Sequence, residues 1–244
     1  MEISVQMYSV RESLATDVQA TVQRLVELGL THAEPYHLLE YRDELVRARE
    51  QFPIDFPSAH QSFLGEVDFP AVLEAAQAVG VQYLVDPFWN PEDWTDAEKV
   101  RALADTLNQR AAEAAEAGIR VGYHNHHFEL ASQLGGRTAL EVFAEALDPQ
   151  VVLEVDTYWA AVGGAEVPAL LGRLGERVQL VHLKDGDLST DPAAQLPLGT
   201  GAMPLAETLQ AASGAAYGVI EFDDYAGDMF EGIAASVAHL RSVL

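Results

Sequence analysis

Short apolar runs alternate with longer amphipathic ones along this chain, and the rhythm repeats eight times. The short runs have the length and β-branched content of buried strands, and the longer ones carry helical spacing, so the pattern predicts strand and helix units building a parallel sheet. The strand candidates are "ISVQMYSV", "THAEPYH", "DFPSAHQSF", "VQYLVDPFW", "RVGYHNH", "VVLEVDTYW", "QLVHLKD" and "YGVIEFDD". Between them, "ATDVQATVQRLVELG" places Val18, Val22, Leu25, Val26 and Leu28 close to one helical face and stops at Gly29. "AVLEAAQAVG" and "AAEAAEAG" stop in the same way, at Gly80 and Gly118, just before the fourth and fifth strands.

Eight such units in 244 residues fit a closed (β/α)8 TIM barrel, an α/β fold in which parallel strands surround a packed interior and helices form the outer ring. An open doubly wound sheet fits less well, because no GxGxxG follows the first strand. No linker, low-complexity segment or charge block divides the chain, so residues 1–244 are expected to be a single domain. The longest irregular piece, "GDLSTDPAAQLPLGTGAMP" at residues 186 to 204, separates the seventh strand from its helix, and a loop of that length is usually functional or mobile.

Composition narrows the chemistry. There is no cysteine, so disulfides are excluded and any metal site must use imidazole and carboxylate, which fits a cytoplasmic protein. The opening "MEISVQMYSV" lacks the basic and apolar regions of a signal peptide, and no run approaches the roughly 20 apolar residues that span a bilayer. A formal charge of -24 repels phosphate backbones and anionic lipid, so neither nucleic acid nor membrane is expected as a partner.

In a barrel the reacting groups stand at the C-terminal ends of the strands. Those ends are rich in ligand-type residues: Glu34, His60, His124 and His126, Glu154 and Asp156, His182 and Lys184, Glu221 and Asp223. Seven of the eight histidines lie in or beside a predicted strand, and only His239 falls in a helix. Strand alternation puts Glu154 with Asp156, His182 with Lys184 and Glu221 with Asp223 on shared faces. Buried ions of this kind cost several kcal/mol each, as an order of magnitude, unless paired or bound to metal. Single polar residues such as His32, His37 and His127 are read as hydrogen-bonded structural groups, and Glu154 and Asp223 as equally well explained by caps or ion pairs. Asp156, His182 and Glu221, at three successive strand ends, point to metal binding or direct catalysis.

Taken in order, "YHNHHFEL", "LEVDTYW", "VHLKDG" with "LGTG", and "VIEFDD" resemble the sugar phosphate isomerase/epimerase family of xylose-isomerase-like TIM barrels, related to inosose dehydratase and ketose 3-epimerases. "AEPYH" and "SAHQSF" extend the resemblance over nearly the whole chain. The resemblance implies one divalent metal ion, manganese first and magnesium, cobalt or zinc as competitors. Its implied ligands are Glu129, Asp156, His182 and Glu221, with Glu129 standing in for a family glutamate at a strand end where this chain has His124 or His126.

The implied reaction is sugar isomerisation or epimerisation by proton transfer through a metal-stabilised enediolate. Glu221, His60 and His124 are the candidate bases, and Lys184 is the candidate donor to a substrate oxygen. Glu34, His126 and Trp159 are expected to contact a small-molecule sugar or cyclitol, with Phe88 and Trp89 as further apolar wall. Three other readings stand beside this one: a metal-dependent dehydratase or lyase acting on an inosose or 3-keto-sugar, an inactive sugar- or metal-binding barrel, and DNA repair of the endonuclease IV type, which the scarcity of Lys and Arg disfavours. Barrels of this kind often form homo-oligomers.

Overall fold

In the computed structural model, which describes residues 1–244, seven parallel strands lie side by side in the order Glu2–Val5, Tyr217–Ile220, Val178–Leu183, Val152–Asp156, Arg120–His124, Tyr83–Asp86 and Ser58–His60. Residues 32–36 close the ring between the two edge strands, through parallel bridges from Gln6 to Glu34, from Tyr36 to His60 and from His32 to Asp55. This is the predicted second strand "THAEPYH". It survives as bridges rather than a regular ladder because Pro35 has no N–H to contribute, although its carbonyl still accepts from the His60 amide at 2.8 Å. The result is the expected TIM barrel, with helices between successive strands.

The helix boundaries follow the sequence signals. Helix Val18–Glu27 opens on Asp17, whose side chain accepts from the Ala20 amide at 2.9 Å, and helix Phe69–Val79 opens on Asp68 in the same manner. The latter stops at Gly80, whose φ of 89° is the left-handed backbone angle that favours glycine.

Strand alternation divides the buried residues in two. Outward-facing residues such as Leu84, Tyr123, Leu153, Val155 and Val181 join the helices in the main core, which surrounds the barrel. Inside, Val85, Val152, Leu180 and Val219 form a separate apolar floor with Tyr83 and Tyr217 against it. Two residues farther along three of those strands stand Glu154, His182 and Glu221, so the interior changes from hydrocarbon to titratable groups within one inward-facing layer.

Candidate metal and active site

Above the apolar floor, the mouth of the barrel gathers His124, Asp156, His182 and Glu221, all buried, with one donor atom from each lying within 4.8 Å of the others. Their strands are adjacent: Asp156 is in register with His182, and His182 with Val219, two residues before Glu221. Alternation therefore aims all three predicted strand-end residues at one point, together with His124 from the end of its own strand.

Beneath this group lies a second ring. Glu154 Oε2 lies 3.1 Å from His124 Nδ1 and 3.2 Å from His182 Nε2, and also bonds His60 Nε2. Glu34 Oε1 accepts from Gln6 Nε2 at 2.8 Å and lies 2.8 Å from His182 Nε2 and 3.2 Å from His60 Nε2. The His60 and His182 rings stack at 5.2 Å between centroids. Glu34, expected to touch substrate or orient His60, is fully buried and serves the histidines.

Lys184 is committed to carboxylates: its Nζ lies 2.9 Å from Asp156 Oδ2, 2.7 Å from Glu221 Oε2 and 2.7 Å from Asp223 Oδ2. Asp223 Oδ2 also accepts from Gln195 Nε2 at 2.6 Å and from Trp159 Nε1 at 3.1 Å. Trp159 is thus packed with Tyr158 and Met203 behind Asp223, and it does not line the open pocket. Gln195 belongs to the long 186–204 loop, which is pinned rather than loose. Asp185 Oδ1 accepts from the amides of Gly186 and Met203, and Oδ2 from those of Gly199 and Gly201, all at 2.9 to 3.0 Å. A Cβ on Gly201 would lie 2.2 Å from Asp185 Oδ1, so the close wrap requires glycine there.

Glu129 stands apart from the four-residue cluster. The chain leaves the strand after His124 and turns into the short helix Phe128–Ala131, which carries the Glu129 side chain away from the cluster. Its Oε1 accepts from the Tyr123 hydroxyl at 2.9 Å and its Oε2 from the His126 amide at 2.9 Å. With both oxygens engaged, Glu129 braces the turn, and in the four-residue cluster His124 stands where Glu129 was expected. His60, His124, His126, Phe88, Glu221 and Asp223 line a cavity of about 360 Å³ at the mouth, rimmed further by Tyr8 and Tyr36. Trp89 instead donates from Nε1 to Asp93 outside that cavity. Sequence reading did not single out Gln6, Gln195, Tyr8 or Tyr36, and undervalued Glu154. Only its shared parity with Asp156 pointed to the site.

Burial and charge set the protonation of these groups. Burial, then proximity to His182, pushes His124 well below the usual imidazole value, so it is neutral. Burial also disfavours charge on His182, but Glu154 and Glu221 outweigh it and hold the ring well above the ordinary value. Burial raises Asp156 to about 6 against the pull of Lys184 and His182. For Glu221 burial is outweighed by Lys184 and His182, which keep it ionised far below the usual carboxylate range. His126 is lowered to about 4, by burial and then by Lys184, and is neutral.

The donor set fits a divalent cation. Two carboxylates and two imidazoles converge within reach of one ion, a mixture suited to manganese, cobalt or zinc. Asp156 Oδ2 is buried and ion-paired with Lys184 at 2.9 Å but accepts no hydrogen bond, which leaves lone-pair capacity on the side of the cluster for a cation.

The family model of the xylose isomerase-like TIM barrel matches residues 17–243. The chain belongs to that family. Among its relatives, inosose dehydratase 2 of Bacillus cereus is 27% identical over 128 residues, a match covering 52% of this chain and 42% of the relative. Less than half of that relative's length is therefore spanned. A sugar phosphate isomerase/epimerase from Parabacteroides distasonis ATCC 8503 superimposes with a TM-score of 0.84 at 19% identity, covering 99% of this chain and 93% of the other. The IolI protein, with a bound zinc atom, superimposes with a TM-score of 0.78 at 16% identity, covering 100% and 98%. At such identities the structural likeness establishes the fold alone. No helix of the chain is long and apolar enough to cross a membrane.

Proposed function

We propose that this member of the xylose isomerase-like family is a divalent-metal-dependent isomerase or epimerase that moves a proton on a polyhydroxy carbonyl compound. The observation that carries this reading is the convergence of His124, Asp156, His182 and Glu221 on one point at the foot of the open mouth cavity. These four residues would hold the ion. When bound, the ion supplies Lewis acidity toward a carbonyl and its neighbouring hydroxyl, which lowers the pKa of the C–H between them.

The chain's own groups do the rest. Glu221 lines the cavity and is ionised, and its contacts with His182 and Lys184 both engage Oε2, leaving Oε1 for a substrate proton. The neutral His126 ring, at the cavity wall, accepts or donates to a substrate hydroxyl. Phe88, about half exposed, offers an apolar face to the C–H side of a sugar. None of the 12 lining residues is Lys or Arg, which supports an unphosphorylated substrate.

A second reading, dehydration of an inosose or 3-keto-sugar, is favoured by the inosose dehydratase match. It begins with the same proton removal and ends with loss of a β-hydroxyl. Incubation with free ketoses, inososes and 3-keto-glycosides in deuterated water, with and without manganese, tests both readings. Metal-dependent deuterium incorporation at carbon is expected for one class, with elimination product marking the second reading. No exchange on any class, with or without metal, would overturn both.

A further inference from the structure

His124 and His182 each belong to two groups of donor atoms. Toward the mouth they join Asp156 and Glu221, and toward the barrel floor they join His60 and Glu154. A neutral imidazole has one N–H and one lone pair, so each ring offers its lone pair to one side only. Ions in both groups at once would require both rings to lose both protons.

The contacts decide which side is served. His124 turns Nδ1 to Glu154 Oε2 at 3.1 Å and leaves Nε2 on the side of Asp156, 3.8 Å from Oδ2. His182 turns Nε2 to the same Oε2 at 3.2 Å, while Nδ1 faces Glu221 Oε2 at 2.6 Å. His60 Nε2 meets that oxygen as well. An ionised carboxylate oxygen accepts and does not donate, so the nitrogens facing it carry the protons. His182 has an ionised carboxylate on both sides and holds a proton on each nitrogen, whereas His124 Nε2 has none within hydrogen-bond reach and keeps its lone pair. Glu34 reinforces the pattern at His182 and His60 but does not touch His124. The other oxygen of Glu154 is buried without any hydrogen bond, so its only polar partners are these three rings.

We propose that Glu154 is a positioning residue that keeps the proton of His124 on Nδ1, so that its lone pair at Nε2 points to the mouth and one cation binds there, between Asp156 and Glu221. The assignment rests on the metal-centre reading above. Removing such an outer partner of a ligating histidine typically lowers metal affinity by about 10- to 100-fold.

The test uses the full chain labelled with nitrogen-15 histidine and loaded with zinc(II). Long-range proton-nitrogen spectra of the wild type are expected to show His124 protonated at Nδ1 and not at Nε2. Glu154→Met, checked for folding by circular dichroism, is expected to bind zinc about 10- to 100-fold more weakly and to lose the single His124 tautomer. Reversed protonation in the wild type, or unchanged zinc affinity in Glu154→Met, overturns the assignment. If that variant does not fold, Glu154→Gln, whose carbonyl oxygen still accepts from His124 Nδ1, replaces it: the Nδ1 tautomer of His124 is expected to persist, and a His124 proton found on Nε2 in zinc-loaded Glu154→Gln is the overturning result. Zinc affinity that survives Asp156→Ala removes the metal centre itself and this assignment with it, whereas dependence on Asp156 without dependence on Glu154 removes the assignment alone.

Discussion

Lys184 Nζ lies 2.7 Å from Glu221 Oε2, which makes the ammonium a neighbour of the oxygens that a metal ion would use. It makes the same approach to Asp156. A cation and Lys184 therefore lean on shared negative charge, and removing Lys184 leaves three carboxylates facing one another. Lys184→Met is expected to lose about 3–5 kcal/mol of stability without added metal, the cost of breaking a buried ion pair. Manganese should raise its melting temperature more than it raises that of wild type. Equal metal-induced shifts in thermal denaturation would show that the ammonium and the ion do not share those oxygens.

Glu129 makes stability pH-dependent. Burial raises its folded-state pKa to about 8, above the usual 4.5, so the folded protein holds a proton that the unfolded chain releases over that interval. The stabilising contribution is complete below the unfolded value and is lost as pH rises through about 8. Glu129→Gln keeps a neutral amide against Tyr123 and the His126 amide, and should flatten the decline in urea midpoint between pH 5 and pH 8. A slope identical to wild type would place the titration elsewhere.

Asp185 holds the 186–204 loop by four backbone amides, and the loop in turn delivers Gln195 to Asp223. Asp185→Asn replaces an acceptor oxygen with a donor that faces amide N–H groups. A loss of about 2–4 kcal/mol is expected from charged hydrogen bonds exchanged for an unsatisfied donor. Limited proteolysis should cut the variant within residues 186–204 before any other segment. An intact loop at wild-type protease resistance would contradict the pinning role.

The apolar floor supports the titratable layer above it. Leu180 is fully buried in that floor, two residues before His182 on the same strand. Leu180→Ala is expected to cost about 2–5 kcal/mol and to open space beneath His182 and Glu154. Zinc affinity should fall together with the denaturation midpoint. A stability loss with zinc affinity unchanged would mean that the polar layer holds its geometry without the floor.

Much of this was legible along the chain. The alternation of apolar periods set the barrel and its eight units, since strand and helix bury different repeats. Period-two alternation placed Asp156, His182 and Glu221 on inward faces, because the pleat leaves a strand residue only two directions. Even the broken second strand was visible, although Pro35 reduced it to bridges.

The partners were decided elsewhere. Glu129 lies beyond its strand, where alternation no longer applies, and a single helical turn carried it to Tyr123 instead of the cluster. Glu154 read equally well as a cap or ion-pair residue until the barrel closed and brought three histidine rings from three other strands onto one of its oxygens. Lys184 likewise found three carboxylates through curvature of the sheet, not through spacing. The sequence by itself determined the fold and the face on which each strand residue stands, because those depend on local periodicity. Only the tertiary structure decided which charges meet and which imidazole nitrogen faces which neighbour, because those depend on angstrom-scale distances across a closed ring.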